Sequence, residues 1–337
     1  MKTMSNKILV TGAGGYIGSV AAYTLLQKGY EVIGFDNFTT GYRAPLELLV
    51  KKYPQSFRYY EGDLRTNIGE VFKKEKNIKA VLHYAASCLV DESMKNPAKY
   101  FDNNVGGTNC LLKAMTDAKV NNIIFSSTCA VYGEAQYIPI DEKHPLNPSQ
   151  PYGVSKMMVE EIIKWYAELK GLHYVILRYF NVCGASDDGL IGDSKNPSSL
   201  LVQNAVRGAL KIEPFKLTCP EVNTPDKTPI RDYVNVVDLN EAHIKALEYI
   251  FKGGNNEIIN LGTGSGNSVL EIVNKVQEVC GVKFEIGKSA PREGDDAKKI
   301  ANIGKAKLLL GWEPKRVIKD SITSLVYWYK VHPHGWL

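Results

Sequence analysis

A tyrosine and a lysine four residues apart offer acid–base chemistry in this sequence. Tyr152 and Lys156 fall in an amphipathic stretch that predicts a helix, and a spacing of four places both side chains on one face. A tyrosine hydroxyl has a pKa of about 10, too high for a base at neutral pH, but a nearby ammonium favours its ionised form. The pair predicts a general base, Tyr152, activated by Lys156, although such pairs also occur on ordinary surface helices.

The chain before this helix favours the catalytic interpretation. Ser149 is expected to cap the helix, with Pro151 in its first turn. A predicted strand over 122–125 leads into Ser-Ser-Thr at 126–128, and the carboxyl end of a parallel strand is where an α/β sheet presents its chemistry. We therefore expect Thr128 to share a hydrogen bond with a substrate oxygen.

A glycine-rich turn near the start of the chain predicts a dinucleotide site. Gly12, Gly15 and Gly18 follow a predicted strand over 7–11 and precede a helix-like stretch over 19–28. Gly12 permits a tight turn, Gly15 lets the backbone approach a pyrophosphate, and Gly18 lets the helix pack close to the sheet. The spacing is Gly-x-x-Gly-x-x-Gly rather than Gly-x-Gly-x-x-Gly, so the flanking strand and helix carry much of this prediction.

The second predicted strand ends in a carboxylate that bears on the choice of cofactor. Asp36 follows Gly18 by 18 residues, where it can accept hydrogen bonds from the adenosine ribose hydroxyls. Its charge would repel a 2′-phosphate, which favours NAD over NADP. Arg43 could reach such a phosphate, so the alternative stays open.

Short apolar runs alternating with amphipathic stretches must position these residues. The runs predict strands over 8–11, 31–35, 80–84, 122–126 and 174–179. Short buried strands separated by helices are typical of βαβ units. We therefore predict an α/β fold with a Rossmann-like doubly wound parallel sheet and a smaller α/β substrate-binding domain.

Composition excludes several classes of protein. The chain has 337 residues with 44% apolar and 23% charged side chains, which suggests about two globular domains. A net charge of +5 without long blocks of like charge gives little support to a nucleic-acid partner. No apolar stretch approaches the roughly 18 residues that span a membrane, and no signal peptide is recognisable.

The cysteines indicate a reducing compartment. All six are separated from their neighbours by at least 18 residues, and the six histidines show no metal-ligand spacing. This pattern fits neither a disulfide framework nor a structural zinc site. We expect reduced thiols, a cytoplasmic protein and no metal.

Several motifs in order make the sequence resemble the extended short-chain dehydrogenase/reductase family over nearly its whole length. Besides the glycine turn and Tyr152 with Lys156, the matching segments are Asp36-Asn37, Gly62-Asp63-Leu64, His83-Tyr84-Ala85-Ala86, Asp102-Asn103-Asn104-Val105, Ser126-Ser127-Thr128 and Arg178-Tyr179-Phe180-Asn181. The segments over 178–185, 229–234, 260–264 and 292–295 are most similar to family members that epimerise nucleotide sugars.

The resemblance implies an isomerase that inverts C4 of a UDP-hexose, either UDP-glucose or UDP-galactose. Tyr152 would take the proton of the sugar 4-hydroxyl while hydride passes from C4 to NAD, giving a 4-keto sugar. The sugar would then turn in the pocket and hydride would return to its opposite face, with no net redox change. Lys156 would also hydrogen-bond the nicotinamide ribose.

The resemblance also implies the binding residues. Those that would contact NAD are Gly12, Gly15, Tyr16, Ile17, Gly18, Asp36, Asn37, Asp63, Leu64, Tyr84, Ala85, Ala86, Asn104, Tyr152, Lys156 and Phe180. Those that would contact the UDP-sugar are Thr128, Tyr152, Asn181, Ser199, Leu200, Arg231, Arg292 and Lys299. The two arginines suit a diphosphate because each offers a fixed fork of donors.

Two substrate positions depart from the family or stay open. Ser198-Ser199 replaces an expected Asn or His by a shorter group. Lys299 falls where related enzymes gate the hexose 2-substituent, and its length predicts a preference for UDP-glucose and UDP-galactose over their N-acetyl forms. A neighbour such as Lys298 or Ala301 could line the pocket instead.

The resemblance also suggests domain boundaries and an assembly. We expect an NAD-binding domain over 1–180 plus about 234–260, and a nucleotide-sugar-binding domain over 181–233 and 261–337. Related enzymes dimerise through helices at 97–118 and 152–170, which implies a homodimer.

Other activities remain open at this point. The enzyme could epimerise a UDP-N-acetylhexosamine, a UDP-pentose or a UDP-uronic acid. A dehydratase is less favoured because Cys129-Ala130 stands where such enzymes place Asp-Glu, and no local motif supports a decarboxylase. A non-catalytic NAD sensor is disfavoured by the presence of both Tyr152 and Lys156.

Overall fold

The computed structural model describes residues 6–195, 198–289 and 297–336. The strands in these ranges are β1 (Lys7–Thr11), β2 (Glu31–Asp36), β3 (Phe57–Glu61), β4 (Ile78–His83), β5 (Asn122–Thr128), β6 (His173–Tyr179), β7 (Asn181–Cys183), β8 (Lys216–Leu217), β9 (Ile230–Arg231), β10 (Tyr233–Asn235), β11 (Glu257–Leu261), β12 (Asn267–Ser268), β13 (Gly287–Lys288) and β14 (Lys298–Lys299).

Helices connect most of these strands. They are α1 (Tyr16–Gln27), α2 (Ala44–Lys52), α3 (Ile68–Lys74), α4 (Val90–Lys95), α5 (Pro97–Tyr100), α6 (Gly107–Asp117), α7 (Pro151–Lys170), α8 (Leu201–Ala209), α9 (Val236–Phe251), α10 (Val269–Cys280), α11 (Gly304–Leu310) and α12 (Ile318–Val331), with a π-helix at Phe101–Gly106 and a 3₁₀ helix at Cys129–Tyr132. Within the described residues, none of the helices combines the length and apolar character needed to cross a membrane.

The chain folds into two compact units, each made of three segments. The first comprises Met1–Gly133, Pro145–Arg178 and Asn240–Ile259, and the second comprises Glu134–His144, Tyr179–Leu239 and Asn260–Leu337. The second unit thus includes 134–144, 179–180, 234–239 and 260, which were expected in the NAD-binding domain. Main-chain hydrogen bonds explain the first of these differences: the Ile140 amide donates to the Ile300 carbonyl oxygen at 2.8 Å, and the Asn302 amide donates to the Ile140 carbonyl oxygen at 2.7 Å.

The first unit is built on a parallel sheet with strand order β11-β6-β5-β4-β1-β2-β3. The order reverses at β1, which pairs in parallel with both β2 and β4. In open α/β sheets, ligands bind outside the carboxyl ends of the strands at such a switch point. The predicted Rossmann-like doubly wound sheet is therefore confirmed.

Burial on both faces of the sheet explains why its strands are continuous apolar runs. The β1 residues Ile8, Leu9 and Val10 have no exposed surface, as expected for a parallel sheet covered by helices on both sides. Apolar residues of α6 and α7, including Leu111 and Val159, pack into the same core.

The second unit has short strands and a helical core. Strand β7 pairs with β10, β9 pairs with β12 and β14, and β8 pairs with β13. Helices α8, α10 and α12 contribute Val206, Val273 and Trp328 to one buried cluster. Strands of two or three residues cannot build a sheet layer of their own, so helix packing dominates this core.

Candidate active site

Helix α7 begins with the residues that place Tyr152. Pro151 occupies the first helical position, and the Gln150 side chain accepts a hydrogen bond of 3.2 Å from the Gly153 amide. The prediction of Ser149 as the cap was wrong, because Pro151 at the first position makes the residue directly before it the cap. The glutamine amide is long enough to reach the third amide of the helix.

Lys156 is buried one turn further along α7. Only 2% of the residue is exposed, and its Nζ donates a hydrogen bond of 2.8 Å to the Ser126 carbonyl oxygen. The ammonium also lies 4.6 Å from the centre of the Phe125 ring. Burial lowers the pKa of Lys156 to about 8, so a cation is held next to the first turn of the helix but is easily deprotonated.

Tyr152 and Thr128 lie on the two elements that this lysine joins. Tyr152 is 8% exposed and packs edge-on against Tyr100, with ring centres 6.4 Å apart. Thr128 ends β5, and its Oγ1 accepts a hydrogen bond of 3.1 Å from the Ala130 amide. The bond from Lys156 to Ser126 therefore fixes the start of α7 against the strand end that carries Thr128.

A buried ion pair strengthens the same junction. Glu160 follows Lys156 by one turn, and its Oε1 accepts hydrogen bonds from Ser127 Oγ at 2.5 Å and from Arg178 Nε at 3.0 Å. Arg178 also donates to the Tyr132 hydroxyl at 3.1 Å. Sequence reasoning gave Glu160 no role, although its spacing of four from Lys156 places it on the same helix face.

The glycine turn has the space that a bound dinucleotide requires. Gly12 has φ of +72°, and a Cβ there would lie 2.6 Å from the Ala85 amide nitrogen. A Cβ on Gly18 would lie 2.1 Å from the Gly12 carbonyl oxygen, whereas one on Gly15 would meet only that oxygen, at 3.3 Å. Gly12 and Gly18 thus permit close packing, and Gly15 leaves an open backbone surface.

The helix that follows this surface suits an anion. Tyr16 and Ile17 form the first turn of α1, which contains no acidic residue. Helix N-termini attract phosphate through their amides and dipole. The residues present therefore fit a pyrophosphate.

Asp36 closes the glycine turn from the end of β2. Its Oδ2 accepts a hydrogen bond of 2.8 Å from the Gly14 amide, and its Oδ1 accepts one of 2.7 Å from the Phe38 amide. Burial raises the pKa of this carboxyl group, while the bonds from the two amides counteract the rise. The carboxylate is thus held at the place predicted for the ribose contact.

Two further cofactor candidates meet beyond β3. The Asn37 side chain donates to Asp63 Oδ2 at 3.2 Å, and Arg65 donates to Asp63 from Nε at 2.8 Å. The Arg65 guanidinium holds the pKa of Asp63 well below its usual range. Leu64 is buried beside them in the core.

The segment after β4 contributes Tyr84, Ala85 and Ala86. The Tyr84 hydroxyl donates to Asn240 Oδ1 at 2.9 Å, and its ring stacks on His243 with centres 4.8 Å apart. Ala85 lies directly under Gly12. Ala86 follows in the same segment and is half-buried.

Asn104 lies in the π-helix and joins two elements. Its Oδ1 accepts from the Ser87 amide at 2.8 Å, and its Nδ2 donates to the Ser87 carbonyl oxygen and to Ser155 Oγ, each at 3.0 Å. The side chain thereby holds the segment after β4 to α7. Its contact with a cofactor stays a prediction.

Sequence reasoning missed two buried histidines in the first unit. His83 hydrogen-bonds Thr11 at 2.7 Å and Thr108 at 2.8 Å, and burial lowers its pKa to about 3. His243 Nε2 hydrogen-bonds Ser126 Oγ at 2.9 Å. The neutral His83 ring thus links β1, β4 and α6, a role that its place in an apolar strand could have suggested.

The second unit contains a cavity lined by four of the eight predicted substrate residues. Its volume is about 340 Å³, within the range of small-molecule sites. The predicted residues in its wall are Asn181, Ser199, Leu200 and Arg231. Residues that sequence reasoning missed include Phe215, Leu217, Cys219 and Tyr233.

The other predictions for the second unit have separate outcomes. Phe180 is buried, and its amide donates to the Leu261 carbonyl oxygen at 3.1 Å. Lys299 on β14 is the register partner of Arg231 on β9, but among the described residues it does not line the cavity. Arg292 lies outside the described residues.

Comparison with known proteins gives a consistent result over the whole chain. The model of the NAD dependent epimerase/dehydratase family matches residues 8–262. UDP-glucose 4-epimerase of Lactobacillus helveticus is 40% identical over 334 residues, which cover 98% of this chain and 99% of that protein.

Solved structures agree with this match. UDP-glucose 4-epimerase from Bifidobacterium longum, in complex with NAD+ and UDP, superposes with a TM-score of 0.93 at 34% identity, covering 98% of this chain and 100% of that one. The UDP-Glc/GlcNAc 4-epimerase of Campylobacter jejuni has a TM-score of 0.83 at 35% identity, covering 97% and 100%.

Proposed function

The chain belongs to the NAD dependent epimerase/dehydratase family, and we propose that it inverts the configuration at C4 of a UDP-hexose, interconverting UDP-glucose and UDP-galactose. The observation that carries this proposal is the bond of buried Lys156 to Ser126, one turn after Tyr152 and at the end of β5. This bond fixes a buried cation on the same helix as Tyr152, as the proposed acid–base pair needs, and the C4 epimerases named above match 98% of the chain.

The reaction uses NAD, which when bound accepts a hydride from C4 of the sugar and returns it to the opposite face. The chain supplies the binding surface. The open backbone at Gly15 and the start of α1 would hold the pyrophosphate. The carboxylate of Asp36 would accept hydrogen bonds from the adenosine ribose.

Tyr152 acts as the general base and then as the general acid. Its ionised phenolic oxygen takes the proton of the sugar 4-hydroxyl as the 4-keto sugar forms. The tyrosine gives the proton back to the 4-oxygen after the sugar has turned, as hydride returns to C4. Lys156 stabilises the ionised tyrosine through its charge. Thr128 hydrogen-bonds the same sugar oxygen and thereby orients it.

The second unit binds the nucleotide part of the substrate. Its cavity combines apolar wall residues, Leu200 and Phe215, with the guanidinium of Arg231 and the amide of Asn181. An arginine suits a diphosphate because its donors form a fixed fork and its charge persists at any working pH. We assign Arg292 to the same diphosphate from its position in the family motif.

The test is an assay of purified protein with UDP-galactose and no added NAD, followed by chromatographic or NMR detection of UDP-glucose. We expect conversion toward the same equilibrium mixture from either UDP-hexose. Tyr152→Phe is the matched negative control. Absence of product from both sugars, with and without added NAD, would exclude the proposed reaction.

We also propose that two copies pair through α7. Along one face of this helix, Met158, Trp165 and Leu169 are apolar and 41%, 58% and 65% exposed, a contiguous stripe that a partner helix would cover. Sedimentation analysis of the wild type should give a dimer. Trp165→Glu should give a monomer, and a wild type that sediments as a monomer would exclude this pairing.

We place the enzyme in the cytoplasm. None of the six cysteines, all of which lie in the described residues, is in a disulfide, and thiols are kept reduced in that compartment. The localisation can be checked by fractionating cells and following the epimerase activity.

A further inference from the structure

Two carboxylates stand side by side where β2 and β3 end. The parallel register pairs Asp36 with Glu61, and neighbouring strands lie about 4.8 Å apart. Asp36 is buried and bonded to backbone amides, whereas the Glu61 side chain is 53% exposed. The edge of the sheet proposed to bind the adenosine ribose therefore carries a second carboxylate besides Asp36.

Glu61 forms an ion pair with Arg43, the cation at this edge that could otherwise attract a 2′-phosphate. Arg43 Nη2 donates a hydrogen bond to Glu61 Oε1. The Arg43 guanidinium also lies over the Phe38 ring, 4.5 Å from its centre. A planar guanidinium held by a carboxylate and an aromatic face has a defined position.

Arg43 belongs to the dinucleotide site because its segment packs on the glycine turn. The Tyr42 amide donates to the Gly14 carbonyl oxygen at 2.9 Å. A Cβ on Gly14 would lie 2.9 Å from the Phe38 ring, and one on Gly41 would lie 2.7 Å from the Gly14 carbonyl carbon. Residues 38–43 therefore stay close to the turn that would hold the cofactor.

We propose that Glu61 is a specificity-determining residue that keeps Arg43 engaged and so prevents it from receiving the 2′-phosphate of NADP. The inference rests on the NAD-dependent function proposed above. Arginine is the side chain that accommodates a 2′-phosphate in dinucleotide sites. With Arg43 bonded to Glu61, the ion pair carries no net charge, and the charge that faces the ribose is that of Asp36, which repels a phosphate.

The other arginine at this edge, Arg65, cannot take the place of Arg43 as a phosphate ligand because it is held in an ion pair of its own. Arg65 is bound by Asp63 through Nε and Nη2, at 2.8 Å and 2.7 Å. Each described arginine at this edge thus has its own carboxylate. Since an exposed ion pair is weak, removing Glu61 should have a moderate effect.

The experiment is equilibrium titration of NAD and NADP, by calorimetry, into the wild type, Glu61→Gln, Arg43→Ala and the double variant. We expect Glu61→Gln to bind NADP about 2- to 5-fold more tightly than the wild type, a gain on the scale of one exposed charge pair. NAD affinity should change less than about twofold. The double variant should lose the gain, because the released arginine is absent.

Glu70→Gln serves as a control, since Glu70 pairs with Lys73 in an exposed position on α3 and should leave both affinities unchanged. An unchanged ratio of NADP to NAD affinity in Glu61→Gln would overturn the proposal, as would a gain that persists in the double variant. A wild type that binds neither dinucleotide would overturn the proposed function and this inference together. If the wild type binds NAD and the ratio of NADP to NAD affinity is the same in Glu61→Gln, only the role of Glu61 is overturned.

Discussion

The ammonium of Lys156 is bonded to a main-chain atom, the Ser126 carbonyl oxygen, at 2.8 Å. A backbone acceptor cannot take up the proton or swing away as a side chain could. The position of this positive charge, one helical turn after Tyr152, therefore depends on the end of β5. The free-energy cost of burying the charge depends on pH.

We predict that Lys156 makes the protein more stable as the pH rises from 8 to 10. Its pKa is about 8 in the folded protein, against an ordinary value of 10.5. Between these two pH values the unfolded chain therefore binds more protons than the folded protein, and stability increases with pH. The contribution over this interval is about 2 kcal/mol. Denaturant unfolding of the wild type and Lys156→Met at both pH values measures it.

Lys156→Met should lack this increase in stability. The difference in unfolding free energy between the wild type and Lys156→Met should therefore change by about 2 kcal/mol between pH 8 and pH 10. Comparing the two proteins cancels the contributions of other titrating groups. A difference that is the same at both pH values would show that Lys156 keeps an ordinary pKa.

Tyr152→Phe should reduce turnover at least about 100-fold, because acid–base catalysis is usually worth that much. NAD binding and the unfolding free energy should stay close to wild type, since one hydroxyl is lost. Tyr166→Phe is a matched control on the same helix: its hydroxyl donates to Asn109 Oδ1 at 3.3 Å, remote from the proposed proton transfer. Retention of more than about a tenth of the rate in Tyr152→Phe would exclude Tyr152 as the base.

Glu160→Gln should destabilise the protein by about 3–5 kcal/mol, because it leaves the buried Arg178 cation without its charged partner. Glu161 is the adjacent residue, but its partner Lys164 lies on the helix surface and the carboxylate is exposed. Glu161→Gln should therefore cost about 0.5 kcal/mol or less. Equal losses in the two variants, measured by urea denaturation, would contradict the importance given to the buried pair.

The limits of sequence reasoning follow from the kind of contact involved. The strands of the first unit could be predicted because burial on both faces leaves continuous apolar runs such as Ile8 to Val10. The π-helix could not be predicted from local sequence. Its Asn104 is held by hydrogen bonds to Ser87 and to Ser155, and Ser155 lies 51 residues further along the chain. Strands of two residues, such as β9 and β14, are too short to show a period.

The candidate site divides in the same way. Asp36, Tyr152 and Lys156 belong to local motifs, and their spacing together with the strands predicted before them indicates their roles. The pairing of Glu160 with Arg178 joins a helix to a strand 18 residues later, and no local pattern indicates which acid will meet which base. The cavity wall at Phe215 and Tyr233 requires the folded second unit.

Lys299→Ser tests the sugar preference that the sequence predicts. If the lysine limits the space at the hexose 2-position, the serine variant should raise kcat/KM for UDP-N-acetylgalactosamine relative to UDP-galactose, by about 10-fold or more for a substituent of this size. Lys298→Ser is the control, because Lys298 is exposed on the same strand. An unchanged ratio would place the gate elsewhere, and a wild type that prefers the N-acetyl sugar would reverse the predicted preference.

The division of each unit into three chain segments constrains how this protein can be synthesised and cut. Strand β11, at Glu257–Leu261, forms the border of the sheet next to β6, yet the ribosome makes it only after residues 179–239 of the other unit. Until then β6 is an unprotected edge that invites pairing with another nascent chain. A gene truncated after residue 180 would lack this strand permanently, so neither unit can be expressed as one uninterrupted fragment.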